Sequence, residues 1–455
     1  MQIFIVTHSS TYDCRAEAAG EYFIHKGNTV QYIFSDFDHL RRARRGISGT
    51  AGKTDSGSAV YLPMRPYRKN LSATRLLSIR RFAGDVNKYL DGQLGTLQKT
   101  RGVAWVEENV LIWFLIPANS FVRAASVLKK RYGVRIVLDL IDLWPESIPR
   151  PELQKLPPMR VWASLRDRYL DCADWIFTEC SLYQKILDLP EEKTTVLPWF
   201  KDEQADREKT EPSAAGSVSS VSAERQDEQL LQIVYLGAVN HIIDIELITE
   251  FLRRVKEFLG RENRALLLHL IGEGEHKQDF LRSLAEGEIP FRDYGAVYEE
   301  EQKKSILQPC SFGLNFMKSS VRVGLTMKSI DYLSFGIPIL NTIPDDTWEL
   351  VDREKIGVNV DRDHLETAVQ AVAEISGDPE EWQAMHVRAR ETFEKNFTRQ
   401  AFWQVLDRAA GGWTDAQNSA SPLRESACRQ ADAECLQADT DAEERLPSSS
   451  EKDKC

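Results

Sequence analysis

Apolar and polar positions come in blocks along this chain. Short apolar runs at 3–8 (IFIVTH), 29–34 (TVQYIF), 103–108 (VAWVEE), 134–140 (VRIVLDL), 175–180 (WIFTEC) and 195–200 (TVLPWF) predict strands. Segments 14–26, 72–92 and 118–132 between them space apolar residues as helices do, the first stopping at Gly27. After residue 229 the pattern resumes. LQIVYLG (231–237), ALLLHLIG (265–272), PFRDYGAV (290–297), SFGLNFM (311–317) and IPIL (337–340) predict strands, and 244–259, 275–286, 299–307, the segment from Thr326, 364–376 and 379–409 predict helices. Strands separated by helices of this length imply parallel sheets covered on both faces. The expected class is therefore α/β, with two Rossmann-like domains facing across a cleft. The first would span 1–200 and the second 230–380, with a crossover helix at 381–410 returning to the first. Residues 201–229 are polar, small and charged without periodicity and read as a flexible linker or insertion. Residues 411–455 read as a disordered acidic tail.

Composition narrows the class. A 455-residue chain with 42% hydrophobic and 28% charged residues has ample material for two or three cores. Its longest apolar run, VLIWFLIPA at 110–118, falls short of the roughly 20 residues a membrane span needs. The start, MQIFIVTHSS, reads as a strand rather than a signal peptide. Seven cysteines without a CxxC pair fit free thiols in a reducing cytosol, with no structural zinc site.

Charge is uneven. Residues 1–200 hold 28 Lys and Arg against 21 Asp and Glu, whereas 201–455 hold 30 against 48, so the basic excess lies in the first half. It concentrates within 36–81, at Arg41, Arg42, Arg44, Arg45, Arg65, Arg68, Lys69, Arg75, Arg80 and Arg81. Such a cluster is either a solvated face or a surface attracted to anionic membrane or lipid phosphate. Aromatics are not interleaved with it, so nucleic acid is not an expected partner.

The chemistry gathers at predicted strand ends. In VGLTMKSIDYLSFGIPIL (323–340), Thr326 is placed to cap a helix, Met327, Ile330 and Leu333 give its apolar stripe, and Gly336 ends it. Lys328 and Asp331 share one face near the helix start, where free N–H groups attract anions. Lys328 would add a charge and Asp331 would accept from hydroxyls such as a ribose diol. The plainer reading is a solvated lysine and an acid favoured in a first turn. Gly272 and Gly274 (LIGEGEHK) permit close backbone approach, as does the loop Gly237–Asn240. In IVLDLIDLWPES (136–147), Asp139, Asp142, Trp144, Pro145 and Glu146 follow an apolar strand, where a carboxylate either orients an acceptor hydroxyl or caps a turn. Ser9, Ser10 and Arg15 lie in or just after the first βα loop and are candidates for phosphate or acceptor contact. The DxD string Asp36–Phe37–Asp38 reads as a turn.

TMKSIDYLSFGIPIL, IVLDLIDLWPES and IVYLGAVNHIIDIELI (233–248) occur in the order, and with several of the residues, of family 4 glycosyltransferases, in the branch that makes bacterial capsule and other surface polysaccharides. The resemblance covers roughly residues 1–410. It implies the GT-B arrangement, with the nucleotide-sugar on the second domain and the acceptor on the first, and anomeric configuration retained. It implies a UDP-type nucleoside-diphosphate sugar as donor, a glycan or lipid-linked glycan as acceptor, no cofactor and no metal, and a cytoplasmic protein peripheral at the inner membrane face. Under it Lys328 holds the leaving diphosphate, Asp331 the ribose, Thr326 the helix cap, and Gly237, Asn240, Gly272 and Gly274 the donor loops. Tyr294, Gly295 and Val297 form the base-contacting strand end. Asp142 becomes the favoured acceptor-side carboxylate, with Glu146, Ser9, Ser10 and Arg15 beside it. The chain departs from the family in two places. Ala238–His241 stand where many members carry Arg and Lys, and Val323 stands where many carry an acid. These departures keep two alternatives in view, a nucleotide-sugar epimerase of the same architecture and a non-catalytic partner subunit.

Overall fold

The computed structural model describes residues 1–39, 41–45, 52–54, 57–68, 72–148, 151–201 and 229–414. The expected linker at 201–229 falls almost wholly outside the described residues, as do Lys69 and the expected tail from residue 415 onward. Met1–Ala410 form one compact unit; of the second, Gly411–Cys455, only the end of a helix is described.

The first sheet takes its strands from the first half of the chain. In chain order these are β1 (Gln2–Thr7), β2 (Thr29–Ser35), β3 (Phe37–Asp38), β4 (Ala43–Arg44), β5 (Gly52–Thr54), β6 (Gly57–Leu62), β7 (Val110–Ile116), β8 (Arg135–Leu140), β9 (Trp175–Thr178) and β10 (Thr194–Val196). Eight of them join in the order β10-β9-β8-β7-β1-β2-β6-β5, parallel except at β5, while β3 and β4 pair separately as a ribbon. A strand covered on both faces must be apolar at every position rather than at alternate ones. VLIWFLI at β7, with all seven residues buried, meets that demand. VAWVEE does not. The expected strand at 103–108 is instead the helix Val103–Asn109, in which only Val106 is buried, and the strand begins one residue beyond it. The helix expected at 72–92 runs from Ala73 to Arg101, because Leu90 and Leu94 continue its buried stripe past Gly92.

The second sheet comprises β11 (Leu230–Leu236), β12 (Ala265–Ile271), β13 (Phe291–Gly295), β14 (Phe312–Asn315), β15 (Ile339–Asn341) and β16 (Gly357–Asn359), all parallel in the order β13-β12-β11-β14-β15-β16. The order reverses between β11 and β14, and in such sheets the crevice beyond the strand ends at the reversal is where ligands fit. The helix Ile245–Arg261 shows why the faces are covered: Leu247, Ile248, Phe251, Leu252, Val255 and Leu259 form one buried stripe, and Asp244 caps its start by accepting from Leu247 N.

The return crossing is broken where one helix over 379–409 is expected. Pro379–Asn396 and Arg399–Thr414 are separate helices. Phe397 O accepts the Lys201 N–H (2.9 Å) instead of continuing the ladder, and Thr398 Oγ1 accepts from Ala401 N to start the next helix. That last helix docks on the Asp13–His25 helix, where the Trp403 indole donates to Ala18 O (2.9 Å), the Tyr22 hydroxyl donates to Asp407 (3.0 Å) and Arg399 pairs with Glu21.

Close approach constrains one glycine. A Cβ on Gly313, in β14, would lie 2.5 Å from the ring of Tyr332, which is fully buried against the sheet. Gly313→Ala is expected to destabilise the protein by about 1–3 kcal/mol, read as a lower urea midpoint with unchanged slope.

Candidate functional site

The helix Met327–Ser334 sits at the reversal in the second sheet, and its start is held by a polar ladder. Thr326 Oγ1 accepts from Ser329 N (3.1 Å) and donates to Asn315 Oδ1 (3.1 Å). Asn315 in turn donates to Ser329 Oγ (2.9 Å) and Asn341 Oδ1 (3.1 Å), and Asn341 donates to Asn359 Oδ1 (2.8 Å). These asparagines end three adjacent strands in matched register. Sequence reading found the cap but missed the ladder, whose signal is an asparagine closing β14, β15 and β16 alike.

Lys328 lies on this helix with its amine inside. Nζ is buried, has no hydrogen-bond partner among the described residues and stands 4.0 Å from the centre of the Tyr235 ring. Burial pushes its pKa down to about 7, because removing water penalises the charged form. Its stem crosses the loop after β11; a Cβ on Gly237 would meet Lys328 Cε at 3.4 Å.

Three strand-end loops are knitted beside it. Gly237 N donates to Ile271 O (2.9 Å), Val239 N to Glu273 O (2.9 Å) and Gly272 N to Gly295 O (2.7 Å). Side chains on Gly272 and Gly274 would collide with the carbonyls of Gly237 and Val239, so glycine is required at both. Asn240 turns its Oδ1 to Ile242 N, Val297 packs inward, and the Tyr294 ring stacks on His269 with 2.9 Å between hydroxyl and Nδ1. Asp331 is one-third exposed and lies 3.5 Å from Lys201 Nζ.

On the first sheet the sequence candidates separate. Asp142, beyond the end of β8, accepts from Ser147 Oγ (2.9 Å), and burial raises its pKa. Arg15 is not available to a phosphate or an acceptor. It is fully buried, makes a two-pronged contact with Asp139 (2.8 Å each) and donates to Leu197 O (2.7 Å) and Pro198 O (3.0 Å). A guanidinium placed under the sheet must satisfy its donors internally, so both Arg15 and Asp139 hold β8 to the segment after β10. Glu146 is likewise occupied, both oxygens resting on Arg166 (3.0 and 2.7 Å). Ser9 Oγ is shared with Thr11 (2.8 Å), whereas Ser10 Oγ and His8 Nδ1 are buried without a partner among the described residues. His8 is kept neutral, pushed down to about 3 by burial and then by Arg75. Asp38 serves a turn, accepting from Arg41 N, whereas Asp36 ties the end of β2 to the segment after β6 by accepting from Met64 N and pairs with Arg44. Among the described residues no group of three or more His, Cys, Asp or Glu is arranged to hold a metal ion.

Glu179 is the residue that sequence reading missed. It follows β9 as Asp142 follows β8, and an acid just past a buried strand was the available signal. It is 8% exposed; burial pushes it up to about 8 against the pull of Arg15, with Asp142 adding, and the Trp199 side chain hydrogen-bonds to it. The next residues join the two walls of the cleft. Asp346, from the second half, accepts from Ser181 N (2.6 Å) and Leu182 N (2.9 Å), capping the helix Ser181–Leu187 across the gap. Glu179, with Asp142 near it, thus stands beyond the strand ends of the first sheet, and the Lys328 amine and its capped helix start stand at the reversal of the second.

No protein-family model matches the chain, and no curated protein matches it in sequence. Solved structures do resemble it. Sucrose-phosphate synthase from Thermosynechococcus elongatus is 12% identical with a TM-score of 0.61, covering 91% of this chain and 100% of that one. Anabaena HepE in complex with UDP and glucose is 12% identical with a TM-score of 0.57, covering 90% and 99%. The E. coli trehalose-6-phosphate structure bound with UDP-2-fluoro glucose is 11% identical with a TM-score of 0.60, covering 90% and 99%. At such identities the likeness is one of fold, and the fold is that of the GT-B glycosyltransferase structures.

A buried amine with no acid beside it among the described residues destabilises the ligand-free protein. Its pKa is near 7 folded and near 10.5 unfolded, so between those values the unfolded chain holds the extra proton and stability rises with pH. Lys328→Met is expected to raise the melting temperature of the ligand-free protein at pH 7, by a margin that shrinks toward pH 10, measured by differential scanning fluorimetry.

Proposed function

We propose that this chain is a retaining glycosyltransferase that moves a sugar from a UDP-type nucleoside-diphosphate sugar to a hydroxyl of a lipid-linked surface-glycan intermediate. The observation that carries the reading is the unpartnered amine of Lys328, placed over the Gly237 loop at the capped start of its helix. A diphosphate lying there would restore the charge that burial suppresses and would accept from the helix N–H groups. Asp331 would take the ribose hydroxyls, and the main chain around Gly295–Val297 the base. Two of the similar structures hold UDP with glucose and UDP-2-fluoro glucose, which supports a donor of this kind.

In the proposed step the bond from the sugar C1 to the diphosphate oxygen breaks and a bond from C1 to the acceptor oxygen forms on the same face. The acceptor proton passes to the leaving diphosphate oxygen. Lys328 stabilises the charge that develops on that group. Asp142, with Glu179 beside it, orients the acceptor hydroxyl.

A peripheral position at the inner membrane face is supported by exposed Arg41, Arg42, Arg65, Arg68, Arg80 and Arg81. Arg44, Arg45 and Arg75 do not belong to that set, being engaged with Asp36, with Asp13, and with the Tyr67 and Trp144 rings. No helix among the described residues is long and apolar enough to cross a membrane. The uncharged Ala238–His241 loop and Val323 favour, as a second reading, a partner subunit that binds the donor without transferring it.

The test is thermal-shift binding of nucleoside diphosphates and their sugar conjugates to wild type and Lys328→Met. UDP and one UDP-sugar are expected to raise the wild-type melting temperature, with about 2.7 kcal/mol of stabilisation at a hundredfold excess over Kd, and to leave the variant unshifted. The bound amine must be charged, so binding takes up a proton and weakens as pH climbs from 7 to 9. If no nucleotide binds, or the variant binds as well as wild type, the reading falls; binding without turnover toward any acceptor selects the partner-subunit reading.

A further inference from the structure

The chain passes between its two sheets twice, and the two passages touch. Lys201, leaving the first sheet, gives its N–H to Phe397 O (2.9 Å) and bridges to Thr398, at the break before the last helix. Its backbone is therefore fixed at the crossing. Its side chain runs the other way, to the Lys328 helix. Nζ stands 3.5 Å from Asp331 Oδ1, 3.4 Å from Glu300 Oε1 and 3.3 Å from Ser334 Oγ, with the Phe335 ring 4.7 Å away. The side chain is 16% exposed, so its ammonium has one hydrogen bond, two carboxylates within ion-pair distance and little water. Lys303, 3.0 Å from Glu300, is the other cation of this group.

A carboxylate serves a ribose diol only if it is ionised and aimed. Asp331 shares its corner with Glu300, and two acids in a half-buried place resist ionising together. Burial raises Asp331, and Lys201 is the first influence opposing it. Asp331 sits one turn above Lys328 on the same helix, so a ligand reaching both spans about 5 Å along the axis. That is the order of separation between a ribose and the far phosphate of a nucleoside diphosphate.

We propose that Lys201 is a positioning residue of the nucleotide site: anchored by its backbone at the crossing between the sheets, it holds Asp331 as an acceptor for the ribose 2′ and 3′ hydroxyls. The proposal rests on the donor reading given above. Lys201 touches the ligand only through Asp331, so its loss acts on the ribose and spares the diphosphate.

The experiment is calorimetric titration of UDP and of 2′,3′-dideoxy-UDP into wild type, Lys201→Met, Lys201→Arg, Asp331→Asn and the Lys201→Met/Asp331→Asn double variant. Wild type is expected to prefer UDP by about tenfold, and Lys201→Met to erase most of that preference while binding the dideoxy nucleotide almost as wild type does. Lys201→Arg, which keeps the charge, restores the preference. The double variant is no weaker for UDP than Asp331→Asn alone, because both substitutions remove one interaction. The proposal is overturned if Lys201→Met weakens both nucleotides alike, if the two losses multiply in the double variant, or if the preference is unchanged. A wild type that binds neither nucleotide removes the donor reading and this inference together, whereas a wild type that binds UDP with Lys201→Met indistinguishable from it removes the inference alone.

Discussion

A buried amine facing an aromatic ring, with no acid beside it among the described residues, is the constraint around which the second half of this protein is arranged. Lys328 keeps that position only because its helix cannot shift. Thr326 caps the helix, Asn315, Asn341 and Asn359 tie the cap to three strand ends, and the Tyr332 hydroxyl accepts from Leu236 N (2.8 Å) while donating to Leu314 O (3.1 Å). All of those contacts but the one to Asn359 lie between buried polar groups, where a missing partner costs about 1–3 kcal/mol. The network is thus rigid, and it holds an amine in a place where burial suppresses its charge.

The opposite wall uses charge differently. Arg15 and Asp139 neutralise one another beneath the sheet and face no ligand; Arg166 and Glu146 do the same at its rim. Beyond the ends of β8 and β9 the carboxyls Asp142 and Glu179 sit among aromatic rings, with Tyr12, Tyr183 and Trp199 near enough to influence or touch them. Aromatic faces and carboxyls together suit sugar rings and their hydroxyls. Asp346, capping Ser181–Leu187 from across the gap, holds this wall against the one that carries Lys328.

Legibility followed the range of the interactions. The helix start at Thr326, its end at Gly336 and the shared face of Lys328 and Asp331 depend on neighbours within a turn or two, and the structure places them so. VAWVEE was misleading because a composition suited to a strand says nothing about which of two adjacent segments the sheet will take; the fully apolar VLIWFLI took it. One helix over 379–409 was a fair reading of periodicity, and the break came from a carbonyl claimed by Lys201, almost 200 residues away. Arg15, Glu146 and Glu179 were misjudged or missed for the same reason, since nothing local tells a free charge from a paired one.

By itself the sequence determined the alternation of strands and helices, the two α/β halves and the glycine loops at the strand ends, because periodicity, caps and glycines act over a few residues. Only the tertiary structure decided which charges are free. Pairing Arg15 with Asp139, leaving Lys328 without an acid among the described residues and setting Lys201 against Asp331 depend on strand order and on the return of the chain across its own crossing. A charge is neutralised by whatever lies within a few ångströms, and in a folded chain that is seldom its neighbour in sequence.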